Sequence, residues 1–164
     1  MRAGIWIAYG VLVLGAGCEV EPASCLSNIS VDLTSTVAHG YNTAVRGMSG
    51  QVNVPWACSG GGSAQITGTV TPTASSTTFN LTFDFTACAD TTTSSDLVLT
   101  GRLTDQSTFS TSTGDVTAKI AHADALTIVG DEVGCNASPI DATCVVDLFV
   151  SGGTTSGAIC GLDF

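Results

Sequence analysis

The sequence predicts a mainly β fold of the α+β type. One N-terminal helix precedes an antiparallel β-meander of about seven to nine strands, laid out as a sheet or sandwich and closed by three disulfides. Three observations carry this expectation. Apolar residues recur every three or four positions between residues 28 and 48, they recur every second position from Gln51 almost to the C-terminus, and six cysteines remain for pairing once Cys18 is set apart. The chain has 164 residues, 4 Lys+Arg against 14 Asp+Glu, a formal charge of -10 and a pI ≈ 4.1. That length fits one modest domain. The acidic balance, with no basic stripe to neutralise phosphates, speaks against a nucleic-acid partner.

In the first patterned segment, Ile29, Leu33, Val37, Tyr41, Val45 and Met48 draw one stripe along a helix. Asn28 or Ser30 can cap its start, and Gly47 or Gly50 its end. Ile29, Val31 and Leu33 also alternate as a strand would, so both periods are legal on these residues alone.

The period then changes to two. Val52, Val54, Trp56 and Cys58 alternate with polar or small residues, as do Ile66, Gly68 and Val70. The clearest strand sets Phe79, Leu81, Phe83 and Phe85 on one side and Asn80, Thr82, Asp84 and Thr86 on the other. Leu97, Leu99 and Leu103 continue the pattern, with Phe109 in a short following strand. Val116, Ala118 and Ile120 form the next strand, Leu126 and Ile128 another, and Cys144, Val146, Leu148 and Val150 a further one, closed by 159–162. Turn signals separate these runs: SGGGS at 59–63, Thr113-Gly114-Asp115, Gly130-Asp131, Ser138-Pro139 and 151–157. Short polar turns between strands force neighbours to run antiparallel.

Six cysteines allow many connectivities among which the sequence alone does not choose, and hairpin register offers a hint. A turn around 72–76 sets Cys58 near Cys88, a turn at Gly152-Gly153 sets Cys144 near Cys160, and Cys25 and Cys135 are left for each other. No Cys/His set has zinc spacing, so no metal and no cofactor is expected.

Residues 1–18 read MRAGIWIAYGVLVLGAGC, with Arg2, an apolar stretch at 5–14 and the small residues Gly15, Ala16 and Gly17. This is the pattern of a secretory signal peptide, 1–17, and its apolar run is short of the about 20 residues a spanning helix needs. Cys18 after Leu-Gly-Ala-Gly resembles the lipobox of bacterial lipoproteins; the resemblance covers this segment only, and Leu14 stands one residue further from the cysteine than in the family pattern. The resemblance implies that Cys18 is lipidated and becomes the new N-terminus, that 18–27 is a lipidated tether to a domain at 28–164, and that Glu19 directs the chain to the outer membrane. Ordinary cleavage after Gly17 or Ala23 is the alternative.

The body of the chain offers few candidates for chemistry. His39 and His122 are far apart in sequence and are expected at the surface. Ser49 in GMSGQ lacks the glycine of a nucleophile elbow, and SGGGS lacks the lysine of a phosphate loop. Asp131, Glu132 and Asp141 could form a loop calcium site but suit solvated turns better. Asn28 and Asn80 match the glycosylation sequon, a pattern that arises often by chance. Trp56 is either core or a contact residue. The expected function is a non-catalytic structural or binding module of the cell envelope for a polypeptide, glycan or apolar ligand, held at the membrane by its N-terminal lipid or released outside the cell. The alternatives are a lipid or small apolar ligand carrier lined by the 79–85 face, and a secreted hydrolase with convergent Asp or His residues.

Overall fold

In the computed structural model the described residues are 23–91, 93, 95–110, 116–132, 135, 140–151 and 154–164. The first element, α1 (Ala23–Gly40), is followed by a π-helical turn, Tyr41–Val45, in which Arg46 N donates to Tyr41 O at 2.9 Å. Eight strands follow: β1 (Gly50–Ala57), β2 (Ser63–Pro72), β3 (Ser76–Ala89), β4 (Val98–Ser110), β5 (Val116–Gly130), β6 (Ile140–Ser151), β7 (Thr154–Ile159) and β8 (Leu162–Asp163). They form one sheet in chain order, each antiparallel to the next. The fold is therefore a single-sheet meander rather than a sandwich.

Helix wins over strand in the first segment because Val31 is 52% exposed while Ile29 and Leu33 are buried, which a shared strand face forbids. The helix begins at Ala23, ahead of the Asn28 start read from the stripe. Part of the expected tether thus joins the core through Cys25 and Leu26, and neither Asn28 nor Ser30 caps the helix. The Ser30 hydroxyl donates instead to Ser27 O at 2.7 Å. Met48 lies past the helical turn and is 40% exposed.

α1 packs against β7 and β8, and the π-helical turn packs against β1, so the helical segment spans the interval between the first and last strands of the sheet. It lies close to the sheet at Gly40, where a Cβ would stand 2.9 Å from Trp56 ring carbons and 3.1 Å from Phe83. The inner face supplies Val52, Trp56, Ile66, Val70, Phe79, Leu81, Phe83, Phe85, Leu99, Leu103, Leu126, Ile128, Val146 and Leu148, all buried. Hiding each of the three β3 phenylalanines stabilises the fold by about 1.5–3 kcal/mol. Pro55, which cannot donate to a ladder, is tolerated because β1 is the first strand of the sheet.

Two bulges keep the inner face apolar. In β3 the register shifts between Phe85 and Cys88, with Ala87 at φ 46, and this returns Cys88 to the interior. The shift in β5 between Ala123 and Leu126 reverses the alternation, so that Ala121 and Ala123 share the inner face with Leu126 and Ile128. Consequently the two strands expected at 116–120 and 126–128 are one, and Ile120 points outward, 48% exposed. Phe109 belongs to the far end of β4 rather than to a further strand, because the Phe109–Thr77 pairing continues the β3–β4 ladder. The turns expected at 113–115, 138–139 and 152–153, and the signal segment with Cys18, lie outside the described residues.

Three disulfides lock this arrangement: Cys58–Cys88 (Cα–Cα 5.5 Å) between the first turn and β3, Cys144–Cys160 (4.7 Å) between β6 and the end of β7, and Cys25–Cys135 (4.6 Å) between α1 and the segment joining β5 to β6. Each contributes about 2–4 kcal/mol, largely by restricting the unfolded chain.

Gly68 lies hard against β3. Its φ is +134° and a Cβ there would stand 2.0 Å from Asn80 O. Gly68→Ala should lower unfolding stability by at least about 1–3 kcal/mol from backbone strain alone. Urea unfolding with the disulfides intact reads this out, and a midpoint unchanged from wild type contradicts it.

Candidate functional site

Along β4 the inward positions run Leu99, Gly101, Leu103, Asp105, Ser107 and Phe109, so the alternation that buries two leucines also carries a carboxylate inward. Asp105 meets Lys119 of β5, whose Nζ stands 3.4 Å from Asp105 Oδ1, with side chains only 6% and 8% exposed. The Ser107 hydroxyl donates to Asp105 Oδ2 at 2.7 Å, whereas Oδ1 has no hydrogen-bond partner among the described residues. Burying two charges costs several kcal/mol per ion unless pairing and hydrogen bonds offset it, so this trio is a costly polar feature of the interior. Lys119 lines a groove of ≈ 260 Å³ with Thr34, Ser35 and Ala38 of α1, Phe109, Val150 and Thr155.

A second cluster joins α1 to the turn after β3. His39 Nδ1 sits 2.9 and 3.0 Å from the two Asp90 carboxylate oxygens, and its ring makes an edge contact with Trp56 at 5.5 Å. The Ser59 hydroxyl donates to Asp90 Oδ1 at 2.7 Å and accepts from Thr91 N and Thr91 Oγ1. Serine and histidine both address the aspartate rather than each other, whereas a nucleophile needs its base on the hydroxyl. The cluster is a clamp between helix and turn. A similar clamp pairs Ser95 with the buried Asp32 of α1.

The third site is on the outer face. His122 directs Nδ1 to Asp147 Oδ1 at 2.6 Å and Nε2 to Asp124 Oδ1 at 3.2 Å, beside a depression of ≈ 210 Å³ lined by Arg102, Thr104, Ala123 and Ala125 as well. Across the strands, Arg102 donates through Nε to Asp84 Oδ1 at 2.6 Å and through a terminal nitrogen to Asp84 Oδ2 at 3.2 Å. Carboxylates only accept, so the imidazolium with both nitrogens protonated is the form this setting favours. The hydrogen bond to Asp147 raises the His122 pKa above its ordinary 6.5, burial opposes it, and Asp124 adds to the rise.

The structure sorts the expected residues plainly. Trp56 is core, 5% exposed, and Phe79, Phe83 and Phe85 are packed interior rather than the lining of the groove, whose aromatic wall is Phe109. His39 is not at the open surface as expected: its side chain is 22% exposed because it tucks against Trp56 and Asp90. His122 is on the outer face, 41% exposed. The two histidines belong to different clusters. Asp141 lies on β6 opposite Val129 and points outward, Glu132 is buried, and among the described residues no group of three or more His, Cys, Asp or Glu side chains converges as a metal site. Ser49 is exposed ahead of β1, and Asn80 is on the outer side of β3.

Sequence reasoning missed Asp105, Ser107, Lys119, Asp90 and Asp32. For the first two the signal was present, since both keep the parity of Leu99 and Leu103. Lys119 was hidden by the β5 bulge, which makes Ile120 look like the inward residue.

Because the folded pKa of His122 is raised, its contribution to stability is complete below the ordinary value of 6.5 and is lost as pH rises through the raised one. An NMR titration should place the His122 midpoint above 6.5, and Asp147→Asn should bring it down. A midpoint indifferent to Asp147→Asn contradicts the assignment of cause.

No protein-family model, no curated protein and no solved structure matches this chain.

Proposed function

We propose that the chain is an exported bacterial lipoprotein that serves the cell envelope as a non-catalytic structural or binding module, tethered to the outer membrane through Cys18. The observation that carries the reading is the set of three disulfides, which ties α1, the first turn and the last strands into one rigid unit. Such bonds persist in oxidising compartments outside the cytoplasm. Further support comes from the way the reactive side chains are engaged: Ser59 and His39 are both held by Asp90, and His122 by two carboxylates, so each serves to hold elements together.

The tether has a physical limit. From Cys18 to the start of α1 at Ala23 the chain reaches at most roughly 18 Å, so an acylated Cys18 keeps the Cys25–Cys135 end of the domain close to the bilayer. A single acyl chain binds only marginally, and two or more are needed for a stable anchor.

Mass spectrometry of the native N-terminus tests this directly. The expected result is a chain starting at Cys18 with a mass increment of attached acyl groups, and release of Cys18→Ser from the membrane fraction. A start at Ser24, or an unmodified Cys18, overturns the anchor.

A further inference from the structure

We infer that the groove between α1 and strands β4 to β7 is a binding site for a small apolar molecule with a hydrogen-bond-accepting head, a carboxylate above all, which docks on Lys119. This deepens the binding-module reading and does not depend on the membrane anchor. Its first support is the position of Lys119: the side chain is 8% exposed, yet it lines an open groove rather than a sealed interior. A lysine kept only to neutralise Asp105 would close to full hydrogen-bond contact, since a buried pair recovers its desolvation cost only with good geometry. Here Nζ stands off at 3.4 Å, Asp105 Oδ1 accepts no hydrogen bond among the described residues, and Asp105 is steadied instead by Ser107. An ammonium has three donors, and one carboxylate oxygen at ion-pair distance leaves donor capacity on a lysine that lines the groove.

The walls fit the rest of such a molecule. Phe109, Val150 and Ala38 offer apolar surface, while Thr34, Ser35 and Thr155 line the groove with hydroxyls. Apolar walls with one or two placed polar groups are the usual make-up of a small-molecule site, and ≈ 260 Å³ is just under the common lower bound of about 300 Å³. The occupant is therefore small, on the scale of a medium-chain acid rather than a whole phospholipid. Charge selects its head: a hydrogen bond from an ammonium to a carboxylate is about twice as strong as a neutral one, and a cationic head would face Lys119 directly.

The test is a titration of the purified protein with octanoate, octanol and octylammonium, followed by NMR at the Phe109 ring and the Val150 methyl groups. Saturable shifts with octanoate, weaker by about tenfold with octanol and absent with octylammonium, are expected. Lys119→Met alone strands Asp105 in the interior and risks the fold, so the paired replacement Lys119→Met with Asp105→Asn is used. It should keep the melting transition and lose octanoate binding by about tenfold or more. Ala38→Phe, on an exposed helix position, should block the groove without touching the core. The inference is overturned if octanoate gives no saturable shift, if octanol or octylammonium binds equally well, or if the folded double variant or Ala38→Phe binds octanoate as the wild type does. None of these outcomes bears on the acyl mass at Cys18, so the two readings fail separately.

Discussion

An eight-stranded meander has one apolar face and two unpaired ends, and everything else in this protein follows from how that face is covered. Among the described residues the cover is a single helical segment. α1 leans on β7 and β8 while the π-helical turn reaches β1, so one short stretch of chain packs against both ends of the sheet and roofs its interior. The π-helical turn widens the helix where it does this and seats Tyr41 against Phe79, with ring centres 4.4 Å apart, and near Phe109. Gly40 allows the helix to sit directly on the Trp56 and Phe83 rings. A sandwich would need a second apolar sheet, and the described residues hold strands for one.

A lone helix cannot fill the whole interior of such a sheet, which explains where polar groups gather. At one end, small clamps tie it down: His39 and Ser59 to Asp90, and Ser95 to Asp32. At the other end, the inner face of β4 and β5 carries Asp105, Ser107 and Lys119 in place of aliphatic residues, and there the helix surface is Thr34, Ser35 and Ala38. The groove is thus a consequence of small helix residues facing a strand pair that is polar inside.

Much of the fold was legible because strand alternation is a strict code. The 79–85 run and the 146–148 pair bury the residues that period two assigns to the interior, and the hairpin registers bring Cys58 to Cys88 and Cys144 to Cys160. What escaped is what breaks that code. The bulge at Ala123–Leu126 inverted the faces of 119–123, split one strand into two and hid Lys119. The early helix start escaped because Cys25 and Leu26 are fixed by the distant Cys135 and by the sheet, which no local period reports. The clamps at Asp90 and Asp32 join residues 31, 51 and 63 positions apart, beyond the reach of any spacing rule.

The placing of Cys25 in the first turn of α1 has a mechanical consequence. Any traction on the N-terminus, from an anchor or a bound neighbour, meets a covalent bond to Cys135 almost at once and passes into the connection between β5 and β6. Force is thereby shunted past the rest of α1 and past the Asp32–Ser95 and His39–Asp90 clamps that hold it. The helix can roof the interior with modest adhesion because it does not have to bear the load.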